Sequence, residues 1–337
     1  MVVRMDQIGD FLLSRGFLAA MITRYPDTVL VVNMSVKSVA VICFPSTDVV
    51  AVDIKKFRLN GVYRIRMLMH LRRLGVACVV HPVYSRHHFI VDTDAMVRAS
   101  GAPRKIGFQG ERLYGIRRWI GWVTAKCYTD LIETKAIHDT DKYLDLSRLL
   151  GIECLPLYRV QVPDTEFEFS SPYVVIFPAA NTCQRQWPVS EWILTLREIQ
   201  NLQLTLVICG DKPSPVIDAI RREGLVNLVD MVSKTSVIEL LSLLKGAQWC
   251  VGVDGGGIHL AATVGIRTLA IVGGGHWGRF LPYPPDAQFA PVALGYPMSC
   301  FGCRWKCIYP NETHVPCISN ISHVDVITVL NNWRNES

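Results

Sequence analysis

The pattern of hydrophobic positions alternates along the chain between short β-rich runs and longer stretches with helical spacing. Such alternation is typical of a parallel sheet covered by helices on both faces. In the first half the pattern predicts strands at Thr28–Val32, Val39–Phe44, Val49–Ile54 and Ala77–Val80, and helices at Asp10–Arg24, Gly61–Leu74 and Thr140–Leu150.

The same alternation restarts after a polar, proline-bounded segment at Gln161–Pro172. We therefore predict an α/β protein of two Rossmann-like domains that face each other across a cleft, with ligands at the C-terminal ends of the strands. The expected domains are residues 1–165 and 172–323, followed by a C-terminal helix within 324–337. Predicted strands of the second domain are Tyr173–Phe177, Leu204–Cys209, Trp249–Val253 and Thr268–Val272; its predicted helices are Val189–Ile199, Pro215–Arg222, Ser236–Leu244 and Gly257–Val264.

The composition agrees with a protein that buries large cores. Of 337 residues, 50% are hydrophobic and 19% charged, which excludes a disordered chain. No apolar run reaches the roughly 18 residues of a membrane-spanning helix. The first residues lack a secretory pattern because Arg4 and Asp6 interrupt the apolar stretch. We expect a cytoplasmic protein, with peripheral contact at the inner membrane left open.

The surplus positive charge lies in the first half of the chain. Residues 1–170 carry 23 Lys and Arg against 17 Asp and Glu, and the remaining residues carry 12 of each. This surplus favours an anionic partner, either a phosphorylated glycan or an anionic membrane surface. Scattered, solvated arginines are the alternative. Nucleic acid is not expected, because no recognised binding motif accompanies the charge. The basic residues include Arg64, Arg66, Arg72, Arg73, Arg104, Lys105, Arg112, Arg117 and Arg118.

A glycine turn follows the predicted strand Trp249–Val253. It reads Asp254, Gly255, Gly256, Gly257, and a helix that carries His259 begins almost at once. Glycines let a ligand approach the backbone, and the first amides of a helix attract anions such as phosphate. The alternative is a strand-to-helix connection whose glycines only permit a tight turn.

The N-terminal Ile8-Gly9-Asp10 offers a candidate general base. Asp10 lies where a helix is expected to begin, so a cap or first-turn carboxylate is one interpretation. The other is a carboxylate that takes a proton from an attacking hydroxyl.

Two further loops follow strands of the second domain. In the first, Arg185 could clamp a phosphate, with Asn181 and Thr182 as additional hydrogen-bonding groups. The second has three glycines followed by His276 and Arg279, which are candidate ligand contacts. An exposed arginine and a flexible surface loop are the respective alternatives.

Four cysteines are close together near the C-terminus, at Cys300, Cys303, Cys307 and Cys317. In a cytosolic protein, four thiolates on one short segment favour a tetrahedral site for zinc or iron over disulfides. Free thiols and disulfides stay as alternatives.

Taken in order, these motifs resemble glycosyltransferase family 9, the heptosyltransferase-like group with the GT-B architecture, along nearly the whole chain. Gly-Asp before the first helix and Asp-x-Gly-x-x-His after a late strand are the most specific matches. The segments that carry the resemblance are Gly9-Asp10, Gly101–Gly107, His138, Ser233–Ser236 and Asp254–His259.

The resemblance implies inverting transfer of a heptose or related sugar from a nucleotide-diphosphate sugar, ADP-linked in our interpretation, to a lipopolysaccharide core or similar bacterial glycan. Asp10 would deprotonate the acceptor hydroxyl. Backbone amides at Gly255–Gly257 and the side chain of Arg185 would hold the diphosphate, and His259 would touch diphosphate or sugar. No catalytic divalent ion is expected.

This sequence departs from the family pattern at Gly255, where the family has Thr or Ser, and this leaves the donor sugar open. The cysteine cluster is similar to one that holds iron in heptosyltransferases that modify autotransporter adhesins. That similarity implies a structural metal, which pins the segment before the last helix, Val324–Trp333. It also offers a protein acceptor as an alternative. A non-catalytic glycan- or nucleotide-binding relative is a third hypothesis, and the oligomeric state is open.

Overall fold

Two six-stranded parallel sheets form the framework of the protein in the computed structural model. The structure describes residues 1–84, 90–110, 123, 125–163, 167, 169, 171–309 and 314–336. The chain divides into two units, Met1–Pro156 and Leu157–Ser337, each with its own sheet. The division lies shortly before the polar segment at Gln161–Pro172.

The first unit has the strand order β3-β2-β1-β4-β5-β6, with every pair parallel. Because the chain leaves β1 in one direction and returns at β4 on the other side, the strand order reverses between β1 and β4. Ligands of such sheets bind at the carboxyl ends of the strands beside this point. The strands are β1 Val2–Arg4, β2 Val29–Asn33, β3 Asp48–Val52, β4 Cys78–His81, β5 Arg104–Phe108 and β6 Asp130–Ile132.

The helices of the first unit cover its sheet through apolar residues such as Phe57 and Leu71, which pack with Val3, Val31 and Val52 of the strands. The helices are α1 Ile8–Leu13, α2 Arg15–Arg24, α3 Lys37–Cys43, α4 Ile54–Leu59, α5 Gly61–Arg73, α6 Ile90–Ala99 and α7 Asp139–Leu150.

One predicted strand of the first unit is wrong. The segment Val39–Phe44 lies almost entirely in α3. Its β-branched residues favour a strand locally, but β2 and β3 are neighbouring parallel strands, and such strands need a crossover between them. The predicted helix Asp10–Arg24 is also divided in two at Ser14, whose hydroxyl donates to the carbonyl of Phe11 at 2.6 Å.

The second unit repeats the arrangement with the order β12-β11-β10-β7-β8-β9, again all parallel. Its strand order reverses between β7 and β10. The strands are β7 Tyr173–Phe177, β8 Thr205–Ile208, β9 Leu228–Asp230, β10 Trp249–Val253, β11 Arg267–Ile271 and β12 Val292–Leu294. The helices are α8 Val189–Asn201, α9 Pro215–Arg222, α10 Val237–Gly246, α11 Gly256–Val264, α12 Pro316–Ser319 and α13 His323–Asn335.

Two tryptophans anchor the core of the second unit. Trp187 and Trp192 are fully buried, with their ring centroids 5.0 Å apart in an edge-to-face arrangement. The indole N–H of Trp187 donates to the carbonyl of Ile321 at 2.8 Å. This bond fixes the start of α13 to the loop after β7.

The α/β class and the pair of Rossmann-like sheets are as predicted. Among the helices that the structure describes, none is both long and apolar enough to cross a membrane. Three of the basic residues in the first half, Arg112, Arg117 and Arg118, lie outside the described residues.

Candidate donor site and catalytic aspartate

The Asp254 turn, residues Asp254–His259, lies at the carboxyl ends of β10 and β11. Asp254 is 5% exposed, and its N–H donates to the carbonyl of Ile271 at 3.0 Å. Gly255 is the extended N-cap residue before α11 and has no side chain to cap the helix, so we call this helix start uncapped; Gly256 is exposed. The first N–H groups of a helix have no carbonyl partner within it, so this uncapped start can bind an anion.

Two glycines of this turn differ in how much space surrounds them. A Cβ on Gly255 would meet only the carbonyl oxygen of Val253, at 3.6 Å. A Cβ on Gly257 would lie 2.6 Å from the ring of Phe177, the last residue of β7. Close packing of β7 therefore demands glycine at position 257, whereas the space beside Gly255 is open.

Arg185 lies beside Asp254, as its predicted role requires. Its Nη1 is 3.4 Å from the Asp254 carbonyl oxygen and 4.0 Å from Oδ2, and its Nε donates to Thr182 Oγ1 at 3.3 Å. These contacts are long, so the half-buried guanidinium is held loosely. A cation next to an uncapped helix start concentrates positive charge at one point. Asn181 is exposed in the same loop.

His259 is buried within α11 and has a partner that the sequence did not reveal. Its Nδ1 is 2.7 Å from the hydroxyl of Tyr283, and the two rings stack with centroids 5.7 Å apart. Because Tyr283 is 24 residues away in the chain, no local spacing connects the two. Contact of His259 with a ligand stays a prediction.

The glycine loop, residues Gly273–His276, follows β11, and two aromatic rings pack against its backbone. A Cβ on Gly274 would lie 2.3 Å from the ring of Phe301, and one on Gly275 would lie 2.3 Å from the ring of Trp305. Gly274 and Gly275 are buried, and His276 is half-buried. The loop is therefore a packed element, whereas the sequence left a flexible surface loop open.

Arg279 follows on the same segment. Its guanidinium lies over the ring of Phe280, 4.6 Å from the ring centroid. The backbone N–H of Arg279 donates to the carbonyl of His276 at 2.9 Å. His276 and Arg279, the two predicted ligand contacts after β11, thus lie in one short segment and are joined by a hydrogen bond.

The four clustered cysteines line one small cavity in the second unit. Burial raises the pKa of the Cys317 thiol, and the other three thiols add to the increase. Two backbone amides donate to sulfur, Gly274 to Cys317 at 3.3 Å and Tyr309 to Cys307 at 3.4 Å. None of the eleven cysteines forms a disulfide. Within the described residues, no group of three or more His, Cys, Asp or Glu side chains is arranged to hold a metal ion.

Asp10 lies in the first turn of α1, which follows β1 at the reversal of strand order in the first sheet. Arg4 holds this corner together. Its Nη2 donates to the Asp10 carbonyl at 2.6 Å and pairs with Asp6 Oδ2 at 3.1 Å, and its Nη1 donates to the Pro82 carbonyl at 3.1 Å. The guanidinium therefore connects the end of β1, the start of α1 and the residue after β4.

The buried carboxyl of Asp6 adds a second acid beside Asp10. Burial is the main cause that raises the pKa of Asp6 to about 7; Arg4 opposes this shift, and the negative charges of Asp10 and Asp139 add to it. The sequence motifs did not place Arg4 and Asp6 at the site. The sequence did contain one sign of such a role, because Arg4 is a charged residue between two apolar ones, Val3 and Met5, and all three are buried.

The chain is similar to known proteins in both sequence and fold. Residues 95–305, more than half of the chain, match the model of "Glycosyltransferase family 9 (heptosyltransferase)". Lipopolysaccharide heptosyltransferase 1 of Salmonella typhimurium is 27% identical over 194 residues, which are 53% of this chain and 61% of that relative. The match thus spans less than two thirds of the relative's length.

Solved structures share the fold over the whole chain. A glycosyltransferase family 9 protein from Veillonella parvula has a TM-score of 0.75 at 16% identity, covering 100% of this chain and 97% of that one. The iron-containing dodecameric glycosyltransferase TibC of enterotoxigenic E. coli has a TM-score of 0.57 at 13% identity, covering 99% and 78%. TibC has also been solved with ADP-D-β-D-heptose, with a TM-score of 0.56 at 13% identity, covering 99% and 76%. The family match over more than half of the chain shows that this protein belongs to glycosyltransferase family 9, the heptosyltransferase family.

Proposed function

We propose that the protein is an inverting glycosyltransferase that moves a heptose or related sugar from an ADP-linked donor to a bacterial lipopolysaccharide core or similar glycan. The observation that carries the proposal is the uncapped start of α11 at Gly255–Gly257 with Arg185 beside it. A helix start and an arginine suit a diphosphate. ADP-heptose is the ligand of TibC, and the Salmonella relative is named for lipopolysaccharide.

In the proposed reaction, the Asp10 carboxylate takes the proton from the acceptor hydroxyl as its oxygen attacks the anomeric carbon. The new C–O bond forms on the face opposite the nucleotide, and the bond to the diphosphate breaks. The configuration at that carbon inverts. The diphosphate leaves with the electron pair, and the amides of Gly256 and Gly257 together with Arg185 hold its charge. Fixed donors of this kind contribute about 3 kcal/mol each to such reactions.

An exposed face of α4 and α5 favours a lipid-linked acceptor. Leu59, Val62, Ile65 and Met69 are exposed there, and the segment from Ile54 to Arg73 contains seven Lys and Arg but no acid. Apolar side chains among cations suit a surface of anionic lipids. We therefore propose a cytoplasmic protein with peripheral contact at the inner membrane.

Vesicle binding tests this placement. We expect sedimentation with vesicles that contain anionic phosphatidylglycerol, but not with pure phosphatidylcholine, and much weaker binding by Ile65→Glu. Val226→Glu, at an exposed valine of the second unit, is the matched control. Equal binding by both variants would contradict the assignment to α5.

We also propose that Cys300, Cys303, Cys307 and Cys317 hold a structural iron or zinc. The proposal is supported by the shared cavity and by the two N–H···S bonds, which thiolate ligands of a metal commonly accept, although the described side chains are not arranged around one centre. Such a metal would crosslink the segment before α13. Metal analysis should find about one equivalent, lost in Cys303→Ser; sub-stoichiometric iron and zinc in the wild type would contradict the site. A protein acceptor is the second candidate function, because the four-cysteine cluster resembles that of heptosyltransferases that modify autotransporter adhesins.

The test of the main proposal is turnover of ADP-heptose with a lipopolysaccharide-core acceptor and with a protein acceptor. Asp10→Ala should lower kcat by about 10²- to 10⁴-fold, as loss of a general base does, while ADP binds as before. Undiminished transfer by the variant would show that Asp10 is not the base. ADP binding without turnover on either acceptor would favour a non-catalytic relative.

A further inference from the structure

The cysteine loop, residues Cys300–Cys307, is bound along its length to the glycine loop. The N–H of Gly302 donates to the Gly274 carbonyl at 2.8 Å, and the N–H of Arg304 donates to the Gly275 carbonyl at 2.9 Å. From the other side, the N–H of Gly274 donates to Cys317 Sγ. The backbone of the glycine loop is thus hydrogen-bonded to both parts of the cysteine cluster.

Aromatic rings of the cysteine loop fill the space above the glycines. Phe301 lies over Gly274, and Trp305 lies over both Gly273 and Gly275. These rings are so close that any side chain on the glycines would collide with them. The glycines serve close packing between two loops, and the position of Trp305 is fixed by that packing.

Trp305 also contacts His276 through a directional bond. Its indole Nε1 lies 3.2 Å from His276 Nδ1, with the ring planes 73° apart. Indole N–H can only donate, so His276 Nδ1 is the acceptor. In the neutral imidazole the proton then lies on Nε2, which makes this nitrogen a donor.

The backbone of the cysteine loop supports a specific placement of Trp305. Arg304 and Trp305 have φ values of 53° and 63°, in the left-handed region that residues other than glycine rarely occupy. Two consecutive residues hold such conformations only where the surrounding contacts determine them. Here those contacts are the bonds to Gly275 and His276.

We propose that Trp305 is a positioning residue that fixes the orientation and tautomer of His276, so that Nε2–H is directed to an oxygen of the donor diphosphate. The inference rests on the proposed function, because it assumes that His276 faces the donor. It gives the cysteine loop a task beyond pinning the C-terminal segment, since the same loop carries the indole that orients His276.

The test compares Trp305→Phe, which keeps a ring over the glycines but lacks the N–H, with Trp333→Phe on α13. Trp333 packs against Trp249 and belongs to no part of the site. Calorimetry with ADP should show about 2- to 10-fold weaker binding for Trp305→Phe, the usual effect of one hydrogen bond, and unchanged binding for Trp333→Phe. ¹⁵N NMR should show His276, identified with His276→Gln, as the Nε2–H form in the wild type and as a mixture of tautomers in Trp305→Phe.

Three outcomes separate the possibilities. A tautomer change with weaker ADP binding supports the inference. Equal ADP binding by wild type and Trp305→Phe overturns it, even if thermal unfolding shows a loss of stability, because that loss alone marks a structural role. Absence of ADP binding by the wild type contradicts the proposed function itself, and the NMR comparison still reports whether Trp305 sets the tautomer.

Discussion

Two runs of three glycines follow neighbouring strands of the second sheet, and they differ in what surrounds them. Gly255–Gly257 leads from β10 into α11, where the space beside Gly255 is open and the helix start is uncapped. Gly273–Gly275 follows β11 and lies beneath Phe301 and Trp305. Glycine therefore does not by itself indicate a phosphate site. The atoms that occupy the space of the missing Cβ decide whether a ligand or a ring approaches the backbone.

The largest expected difference between the two runs is in stability. Gly275→Ala would place a Cβ 2.3 Å from the Trp305 ring, and we expect a loss of about 3 kcal/mol in the free energy of unfolding, as overpacked cores show. Gly255→Ala has an open site with φ of −170°, which any residue adopts. Its change should stay within about 0.5 kcal/mol, typical of surface substitutions. Urea unfolding measures both, and equal losses would contradict the contrast.

Anion binding should distinguish the runs next. Arg185→Ala removes the cation beside Asp254 and should weaken ADP binding by about 1.5–3 kcal/mol, or roughly 10- to 100-fold. Arg197→Ala on α8 is the control, because that exposed arginine pairs with Glu223 away from both runs. Calorimetry with ADP checks the two variants. An unchanged Kd for Arg185→Ala would exclude the phosphate clamp.

Two carboxyl groups of the first unit also differ in their surroundings, since Asp6 is buried and Asp53 is partly exposed. Asp6 is buried, and its raised pKa means that the folded protein keeps this proton to higher pH than the unfolded chain. Stability from this group is present at low pH and lost as pH rises towards 7. The unfolding free energy of wild type minus that of Asp6→Asn should therefore fall by about 1 kcal/mol from pH 5 to pH 6.

Asp53 provides the control of opposite sign. The backbone N–H of Lys56 donates to this partly exposed carboxyl and lowers its pKa. Its stabilising effect is present at neutral pH and lost as pH falls through the acid range. Asp53→Asn keeps the helix cap, since Asn caps as well as Asp, and should lose only this acid dependence. The same pH trend in both variants would show that the burial of Asp6 is not the cause.

The smallest expected effect comes from restoring a hydroxyl at Gly255, where the family has Thr or Ser. Gly255→Ser places a capping oxygen at the start of α11, and we expect a gain of about 0.3–1 kcal/mol in unfolding free energy. Gly257→Ser should instead be destabilised, because its Cβ would lie 2.6 Å from the Phe177 ring. Denaturant midpoints compare the two. A gain at both positions would show that α11 can move away from β7.

The sequence predicted most of the fold because alternation of strands and helices is a local signal. It misplaced Val39–Phe44 because a crossover between β2 and β3, which depends on the sheet, overrides β-branched preference. It also located the Asp254 turn and the loop of Arg185, because both follow recognisable strands.

The partners of the site residues could not be predicted in the same way. Tyr283 and Trp305 contact His259 and His276 across 24 and 29 residues, at spacings that follow no helical or strand period. For the same reason the glycine loop could not be recognised as packed, since Trp305 reaches it only in the folded chain.

The most direct test of the central claim is a crystal structure of the protein with ADP. We predict that β-phosphate oxygens accept hydrogen bonds from the N–H groups of Gly256 and Gly257 and contact Arg185. His276 should lie nearby with its Trp305 bond intact. A diphosphate bound by the backbone of Gly273–Gly275, with the start of α11 unused, would contradict the account.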